Sequence, residues 1–336
     1  MKAKNTSAHL YKDRAVLQDV IPLEAPFLIC VDPCSVCNIT CDYCVHYDIK
    51  HDYTLAHKFR QQMMPLEMAK KIIKDLDDFE TNVKELAWYG WGEPLLNKNI
   101  AEMVSYSRKC GKVNRTAIIT NGIALTHELS EKLIDAGLQR INISVQGIDE
   151  QGYFKVCDKQ INFDEFVSNI RYMYEHKDSG LTVYIKIGDS LLQYPEDRQR
   201  FFDIFGNISD EIMIENISHV REDAISNRNI EQKTTGIFGQ ELKERKVCPI
   251  LFYRMFICPD GTCALCNADW YREEVIGDVS KQSLRDIWHG DALKEIQKIH
   301  LRKERKSIEL CSKCGNIINI PVDDIDDYSS AILKKF

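Results

Sequence analysis

The sequence predicts an α/β fold, a partial (βα)6 barrel followed by a small C-terminal α+β module. Between about residues 25 and 216, short runs rich in β-branched and aromatic residues alternate with amphipathic helical stretches, which is typical of βα units around a parallel sheet. Beyond residue 247, two short strand-like runs flank a Pro-Asp-Gly turn. A flat, doubly wound sheet uses the same units, so this competing topology stays open.

Six runs are predicted to form the strands of the barrel: PFLICV, KELAWYG, RTAIIT, QRINISV, LTVYIKI and DEIMIEN. Four stretches between them have a helical pattern: PLEMAKKIIKDLDDF, NIAEMVSYSRKCG, THELSEKLIDAGL and FDEFVSNIRYMYEHK. Thr126 followed by Leu129 is half of a capping box, and the AGL at residues 136–138 is a good helix stop before a strand. These boundaries define the repeating units.

Changes in composition and in hydrophobic pattern along the chain predict four segments: an N-terminal extension (1–24), the barrel (25–216), a linker (217–247) and the C-terminal module (248–336). The linker is polar and charged, and we expect a solvated connection, with a substrate-covering segment as the alternative. In the module, ILFYRMFIC and TCALCNA are predicted strands and SLRDIWHGDALKEIQKIH a predicted helix.

Charge and cysteine content limit the possible partners and location. The net charge of -7 argues against a nucleic-acid partner, because such proteins usually carry a basic face. No signal-peptide core or membrane-length apolar run is evident, so we expect no membrane association and a cytoplasmic protein. Thirteen cysteines in a reducing compartment favour metal binding or catalysis over disulfides.

Three of these cysteines, Cys37, Cys41 and Cys44, lie within the run CNITCDYC just after the first predicted strand. A [4Fe–4S] cluster needs four ligands, so three thiolates leave one iron open to a group that is not protein. A zinc site completed by His46 is the main alternative, although zinc favours two pairs of ligands separated by a long gap. Packing alone poorly explains three thiols within eight residues.

The CNITCDYC run resembles the C-x3-C-x2-C signature of radical S-adenosylmethionine (radical SAM) enzymes, with the aromatic Tyr43 before the last cysteine. The resemblance implies a TIM-type partial barrel and an open iron chelated by S-adenosylmethionine. It also implies reductive cleavage to a 5'-deoxyadenosyl radical, which abstracts a hydrogen atom from the substrate. A flavodoxin or ferredoxin-type protein is the implied reductant.

Three further motifs follow predicted strands in the order that the family has. WYGWGEPLLN resembles the GGEP motif and implies that Gly92, Glu93 and Pro94 bind the methionine amino group, although Trp91 replaces a second small residue. TNG and SVQG end the next two strands, and by resemblance Asn121, Ser144 and Gln146 are candidates for the ribose and the methionine carboxylate. Barrels place ligand contacts at such strand ends.

The C-terminal module supplies a second set of four thiols, Cys248, Cys266, Cys311 and Cys314. Four thiolates saturate a [4Fe–4S] cluster, and their spacing resembles the opening of a SPASM domain. Because no cysteine follows Cys314, the resemblance implies the shortened twitch form with one auxiliary cluster. A zinc site with four cysteine ligands is the alternative. Cys258 and Cys263 are competing ligands, but they are predicted to be small buried residues, as are Cys30, Cys34 and Cys110.

These cofactors predict an oxidoreductase. A saturated second cluster can accept the electron left on a substrate radical, which favours a dehydrogenase; a thiol donor would give an epimerase instead. Cys157 is the candidate hydrogen donor, although a helix-flanking cysteine without chemistry is the preferred prediction.

We expect a small polar substrate, carbohydrate or aminocyclitol-like, because about 24 residues before the first strand leave no room for the peptide-recognition domain of many SPASM enzymes. A maturase of ribosomal peptides and a non-catalytic, zinc-stabilised binding protein stay as alternatives. Six polar residues at strand ends or in the linker are candidates for contacting substrate hydroxyl or phosphate groups: Tyr184, Lys186, Asp189, Glu215, His219 and Arg221.

Overall fold

The computed structural model describes residues 1–6, 14–231, 233–319 and 323–336. Its strands are β1 (Lys4–Asn5), β2 (Leu28–Val31), β3 (Val83–Trp88), β4 (Val113–Thr120), β5 (Arg140–Val145), β6 (Thr182–Gly188), β7 (Glu211–Glu215), β8 (Arg254–Ile257), β9 (Thr262–Ala264) and β10 (Val275–Asp278). They form one sheet in the order β1-β7-β6-β5-β4-β3-β2-β8-β9-β10.

The helices are α1 (Leu17–Val20), α2 (Val45–His51), α3 (Tyr53–Lys58), α4 (Leu66–Asp75), α5 (Ile100–Lys109), α6 (His127–Asp135), α7 (Glu150–Cys157), α8 (Phe163–His176), α9 (Pro195–Phe205), α10 (Leu284–Trp288), α11 (Asp291–Leu301), α12 (Glu309–Ser312), α13 (Asn316–Asn319) and α14 (Ser329–Leu333). Short 3-10 helices occur at Leu76–Asp78, Pro94–Leu96, Asp189–Leu191, Ile225–Asn229, Pro249–Phe252 and Arg305–Ser307. No helix in the described ranges combines the length and the apolar character that crossing a bilayer requires.

The predicted α/β fold class is confirmed. The six predicted barrel strands are β2 to β7, and each pairs in parallel with the next. The four predicted helical stretches are α4, α5, α6 and α8. Thr126 caps α6 as expected, since its hydroxyl accepts a hydrogen bond from the Leu129 backbone N–H at 3.1 Å.

Four strands extend this sheet beyond the six units. β1 pairs in parallel with β7 at one edge, and β8 pairs in parallel with β2 at the other. All four residues of β8 are buried, as expected for a parallel strand covered on both faces. The C-terminal module therefore begins as a continuation of the barrel sheet, and β9 and β10 add an antiparallel end to it.

Two elements of the module differ from their predicted extents. The predicted strand ILFYRMFIC forms a strand only at β8, because its first part belongs to the 3-10 helix that starts at Pro249, a residue suited to a first helical turn. The predicted helix over residues 283–300 is divided into α10 and α11 at His289 and Gly290. A side chain at Gly290 would meet the backbone oxygen of Asp286 at 2.7 Å.

The sheet separates two apolar layers. The larger lies between the sheet and the outer helices and includes Val31, Trp88 and Ile118. The smaller lies on the inner face, where Cys30 and Cys258 pack with a group of large side chains: Val45, Phe59, Trp91, Phe256 and Trp270. Because strand side chains alternate between faces, the inner face of β2 and β8 is set by every second residue.

Close backbone packing after β3 requires glycine at position 92. A Cβ at Gly92 would lie 2.4 Å from the carbonyl oxygens of both Cys34 and Val36. The neighbouring Glu93 backbone N–H donates to that Val36 oxygen at 2.9 Å, so the two loops cannot separate without losing a hydrogen bond.

We therefore expect Gly92→Ala to lower the free energy of unfolding by about 1–3 kcal/mol, the usual cost of overpacking a tight site. Gly180→Ala is the control, because Gly180 is exposed and its added Cβ would meet only the Asp178 side chain, at 3.1 Å. Chemical denaturation of both variants measures the difference. Equal stability of the two would contradict the close packing.

Asp32, directly after β2, is a fully buried carboxyl group. It accepts hydrogen bonds from the backbone N–H groups of Cys34 at 3.1 Å and Trp91 at 3.4 Å. Burial raises the pKa of Asp32 to about 7. The folded protein thus binds this proton more tightly than the unfolded chain, so Asp32 lowers stability as pH rises from the unfolded pKa, near 4, towards 7.

The Asp32→Asn substitution should make the fall of unfolding free energy between about pH 5 and pH 7 shallower, by up to about 1.4 kcal/mol per pH unit, because the amide does not ionise. Denaturation series at several pH values measure this slope. Asp203→Asn, at an exposed carboxyl group, should leave the slope unchanged. If the Asp32→Asn variant has the same slope as the parent protein, Asp32 is already ionised in the folded protein over this pH range.

Candidate active site

The three-cysteine loop lies between β2 and α2. Cys37, Cys41 and Cys44 all line one cavity of about 230 Å³, at the carboxyl ends of β3, β4 and β5. The loop is tightly turned, since the Cys44 backbone N–H donates to the Cys41 oxygen at 3.1 Å. Burial raises the pKa of the Cys44 thiol to about 12, so a metal would be needed to hold it as a thiolate at neutral pH.

The structure brings most of the predicted cofactor residues to this cavity. Six of the seven line it: Tyr43, Gly92, Glu93, Asn121, Ser144 and Gln146. Pro94 lies beside it, as the first residue of a 3-10 helix. His46, the ligand of the zinc alternative, also lines the cavity, and the sequence interpretation did not assign several other lining residues: Ile39, Tyr89, Trp91, Ile119 and Thr120. Most of them flank an assigned motif, and this proximity was the signal available in the sequence.

Glu93 joins the ends of two strands. Its buried carboxylate accepts hydrogen bonds from the Thr120 hydroxyl at 2.6 Å and the Asn121 backbone N–H at 2.8 Å. A third comes from the Leu95 backbone N–H at 2.9 Å. Burial raises the pKa of Glu93, and these donors oppose that shift. The side chain thus acts as a positioning group that holds the end of β3 against the end of β4.

Asn121 fastens the cysteine loop to the sheet. Its Nδ2 donates to Asn38 Oδ1 at 2.7 Å and lies 3.8 Å from Cys37 Sγ. Its Oδ1 accepts from the Ile123 backbone N–H at 3.0 Å. On the opposite side, the Tyr43 hydroxyl donates to Gln146 Oε1. The strand-end polar residues therefore hold the loop as well as lining the cavity.

The segment predicted as a linker also contacts this loop. The Asn229 side-chain N–H donates to the backbone oxygen of Asp42 at 2.7 Å. The Ser226 backbone N–H donates to the Asp48 carboxylate, in α2, at 2.7 Å. The segment therefore packs over the cysteine loop, which supports the covering role more than a solvated connection.

His46, the fourth ligand of the zinc alternative, already has a partner. Its Nε2 lies 2.7 Å from the Trp91 carbonyl oxygen, so this nitrogen carries the proton and donates. Within the described parts of the chain, no three or more His, Cys, Asp or Glu side chains converge to the spacing of a single metal ion. Nε2 of His46 is therefore not available as the fourth ligand of a zinc site.

The four C-terminal cysteines meet in a second pocket. Cys248, Cys266, Cys311 and Cys314 line it together with apolar side chains, Leu251, Leu265, Leu310 and Ile317 among them. Burial raises the pKa of Cys248 to about 12. Four converging thiols in an apolar pocket fit a fully ligated cluster. Cys258 and Cys263 belong instead to the apolar layers, as the sequence predicted.

Cys157, the candidate hydrogen donor, lies behind the loop. Its Sγ is 3.6 Å from Cys41 Sγ, and the two pack with Ile39 and Val156. The side chain is buried and does not line the cavity. Its position therefore gives no support to the hydrogen-donor role.

A polar group lies on the inner face next to the cavity. Glu215 accepts hydrogen bonds from the Tyr184 hydroxyl and from Lys186 Nζ, both at 2.7 Å. Lys186 is the register partner of Ser144, which lines the cavity. These three residues, Tyr184, Lys186 and Glu215, are called the inner polar group below.

The other three candidates for substrate contact have different surroundings. Arg221 is almost fully buried and pairs with Asp223 and Glu273, at 2.9 and 2.6 Å. Asp189 pairs at 2.9 Å with Lys233, which belongs to the segment predicted as a linker (217–247). His219 lies half-buried beside Gly315, close to the second cysteine pocket. The first two are therefore engaged within the chain.

Comparisons with known proteins agree with this arrangement. Residues 31–190 match the model of the radical SAM superfamily, and residues 248–315 match that of the SPASM iron–sulfur cluster-binding domain. A GTP 3',8-cyclase of Staphylococcus haemolyticus is 31% identical over 137 residues, which are 40% of this chain and 38% of that protein. The chain therefore matches well under half the length of this relative.

A relative of comparable length is the S-adenosyl-L-methionine-dependent 2-deoxy-scyllo-inosamine dehydrogenase of Niallia circulans. It is 22% identical over 307 residues, which cover 90% of this chain and 97% of the relative.

Among solved structures, BtrN in complex with AdoMet and 2-DOIA superposes with a TM-score of 0.55 at 20% identity, over 89% of this chain and 96% of that one. Streptococcus suis SuiB bound to S-adenosylmethionine superposes with a TM-score of 0.63 at 17% identity, over 93% of this chain and 76% of that one. These structures support the fold.

The matched domains account for both cysteine sets, because the first contains the three-cysteine loop and the second contains the four-cysteine pocket. Domains of these kinds bind a [4Fe–4S] cluster with S-adenosylmethionine and auxiliary iron–sulfur clusters, respectively. The chain therefore belongs to the radical SAM superfamily and carries a C-terminal SPASM domain.

Proposed function

We propose that this protein is a dehydrogenase that oxidises a secondary alcohol of a small aminocyclitol-like or carbohydrate substrate. One observation carries the proposal: a single chain holds an incomplete three-cysteine site beside a polar cavity and a complete four-cysteine site. The first set can leave a coordination position for a cosubstrate, and the second cannot. This combination suits hydrogen abstraction followed by removal of an electron.

In this proposal Cys37, Cys41 and Cys44 hold the first cluster, and Cys248, Cys266, Cys311 and Cys314 hold one auxiliary cluster. When bound, the first cluster and S-adenosylmethionine supply a 5'-deoxyadenosyl radical for hydrogen abstraction, and the auxiliary cluster supplies a one-electron acceptor. The chain's own contribution is to bind and orient the reactants and to exclude water.

The cavity residues are suited to S-adenosylmethionine. The amide groups of Asn121 and Gln146 and the Ser144 hydroxyl offer donors and acceptors for a ribose and a carboxylate. Gly92 lets the backbone approach closely, and Glu93 holds the neighbouring strand ends in place. We assign Tyr43 to the wall of this site, since its hydroxyl is fixed by Gln146.

Oxidation of an alcohol to a ketone removes two protons and two electrons. Hydrogen abstraction would take one hydrogen atom from the carbon, and the remaining electron would pass to an acceptor. The hydroxyl proton must pass to a base. The inner polar group supplies one, because Glu215 is a carboxylate next to the cavity and Lys186 and Tyr184 orient it. The same three side chains can hydrogen-bond substrate hydroxyl or amino groups.

Two further observations bear on the substrate. The dehydrogenase of Niallia circulans matches this chain over almost the whole length of both proteins, which favours an aminocyclitol-like substrate. Streptococcus suis SuiB has also been solved bound to precursor peptide SuiA, and it superposes with a TM-score of 0.63. A peptide substrate is therefore the second candidate.

Anaerobic turnover with 2-deoxy-scyllo-inosamine, S-adenosylmethionine and dithionite tests the proposal. We expect one 5'-deoxyadenosine per oxidised product, with the product lighter by two hydrogens in mass spectrometry. The control is the variant with Cys37, Cys41 and Cys44 all changed to alanine, which should lose this activity and keep about half of the iron.

Other outcomes of this experiment separate the alternatives. One deuterium gained from deuterated water at unchanged formula would mean epimerisation and would contradict a dehydrogenase. Turnover of a peptide but of no aminocyclitol or sugar would contradict the substrate class. Cleavage of S-adenosylmethionine by the triple variant would refute the assignment of the first cluster.

The role of the inner polar group predicts that Glu215→Gln slows ketone formation by about 100-fold or more, because the base is lost. Cleavage of S-adenosylmethionine should continue, so that 5'-deoxyadenosine exceeds product. Glu128→Gln, which changes an exposed carboxylate paired with Lys132, is the matched control. Parent-like coupling in the Glu215 variant would show that the proton leaves by another route.

A further inference from the structure

The pocket of the four C-terminal cysteines contains a fully buried histidine. His300 lines the pocket, and its Nδ1 lies 3.2 Å from the backbone N–H of Cys248. A peptide N–H can only donate, so Nδ1 must be the acceptor. The proton of the neutral ring is therefore on Nε2.

This Nε2–H has no partner in the parts of the chain that the structure describes. Nε2 is buried and has no hydrogen-bond partner among the described residues. Buried polar groups are nearly always paired, and an unpaired one calls for an explanation. The four cysteine sulfurs lining the same pocket are the available acceptors, because thiolate and sulfide sulfur accept hydrogen bonds in iron–sulfur sites.

Two buried arginines accompany the histidine. Arg305 also lines the pocket, and its guanidinium donates to the Cys311 carbonyl oxygen. Arg254 on β8 is close enough to Cys248 and Cys266 to interact with them electrostatically. It donates to Asn267 Oδ1 at 3.2 Å, and its Nε has no partner within the ranges that the structure describes.

Among the described residues, neither guanidinium group has a carboxylate partner. Ion pairs between described residues include Arg140 with Glu211 and Arg221 with Asp223, but they include neither Arg254 nor Arg305. A buried charge without a counterion is costly, whereas one next to an anion is compensated. A cluster held by four thiolates is such an anion, and it gains a further negative charge when it takes up an electron.

Carboxylates lie near both cysteine sets, and at the auxiliary site Asp269 interacts electrostatically with Cys266. Glu93 interacts electrostatically with Cys37, and Asp48 does so with Cys44. Carboxylates near a cluster disfavour its reduction, whereas cations and N–H donors favour it. At the auxiliary site, the two buried guanidinium groups and the histidine N–H are therefore the groups that favour reduction.

We propose that His300, Arg254 and Arg305 raise the reduction potential of the auxiliary cluster, with His300 donating its Nε2–H to a cluster sulfur. The auxiliary cluster is thereby a better electron acceptor than it would be without these three side chains. The inference deepens the proposed function, and it rests on that function only for the source of the electron. The three side chains act as positioning and tuning residues.

A potentiometric titration of the holoenzyme, monitored by electron paramagnetic resonance without substrate, tests the inference. His300→Leu should lower the reduction potential of the auxiliary cluster by about 59 mV, which corresponds to a tenfold change in the equilibrium constant of its one-electron reduction. His300→Gln should recover most of this loss, because its amide can again donate and accept. Gln297→Leu removes another buried hydrogen bond of α11, from Gln297 to the Leu251 oxygen, and should not change the potential.

A second pair of variants keeps the test decisive. Arg254→Met should lower the potential and Arg254→Lys should retain it, because only the first removes the charge. If the His300→Leu protein fails to assemble the cluster, this pair decides. The inference is overturned if the parent, His300→Leu and Arg254→Met proteins all have the same reduction potential of the auxiliary cluster. It is also overturned if Arg254→Met and Arg254→Lys have the same potential. Because the titration contains no substrate, that result would not contradict the proposed dehydrogenase activity. Inactivity on aminocyclitols, in turn, would not contradict the inference about the reduction potentials.

Discussion

The parallel pairing of β2 with β8 is the constraint on which the rest of the structure depends. Val31 and Ile257 are register partners, and the Asp32 backbone N–H donates to the Ile257 oxygen at 2.8 Å. Parallel strands end at the same edge of a sheet, so the loops that follow both strands leave on one side. The cysteine loop follows β2, and the turn into β9 follows β8. Because β9 runs antiparallel to β8, with Ala264 opposite Phe256, Cys266 lies towards the start of β8. The pairing therefore attaches the module that holds the second cysteine set to the strand that leads into the first.

Trp91 connects the two sites more directly. Its ring lines the first cavity, and its Nε1–H donates to the Asn267 oxygen at 2.9 Å, one residue beyond Cys266. The ring packs against Phe256 of β8, with centroids 4.8 Å apart. The residue that departs from the family motif in sequence thus fills the space between the cavity and the module. An apolar contact of this kind excludes water from the region between the two sites.

The sequence predicted the local features well and the long-range ones poorly. Buried parallel strands appear as apolar runs, so β2 to β7 could be recognised individually. The pairing of β8 with β2 joins residues more than 200 positions apart, and no local pattern carries that information. The spacing of Cys37, Cys41 and Cys44 indicated the first site because these residues are close in sequence, whereas the second set was predicted from its resemblance to a SPASM domain. The partners of Glu93 and the orientation of His300 depend on packing between distant elements, so they required the structure.

The surroundings of the cysteines bear on what happens after hydrogen abstraction. A substrate radical ends either by gaining a hydrogen atom or by losing an electron. Gaining a hydrogen atom from a thiol requires a free cysteine at the cavity, yet the cysteines among its described lining residues are the three predicted cluster ligands. Cys157, the nearest other thiol, faces Cys41 from behind the loop. Losing an electron requires an acceptor, and β8, the strand that pairs with β2, belongs to the module that contains the four-cysteine pocket. The position of Cys157 therefore gives no support to a thiol hydrogen donor, in agreement with the proposed oxidation.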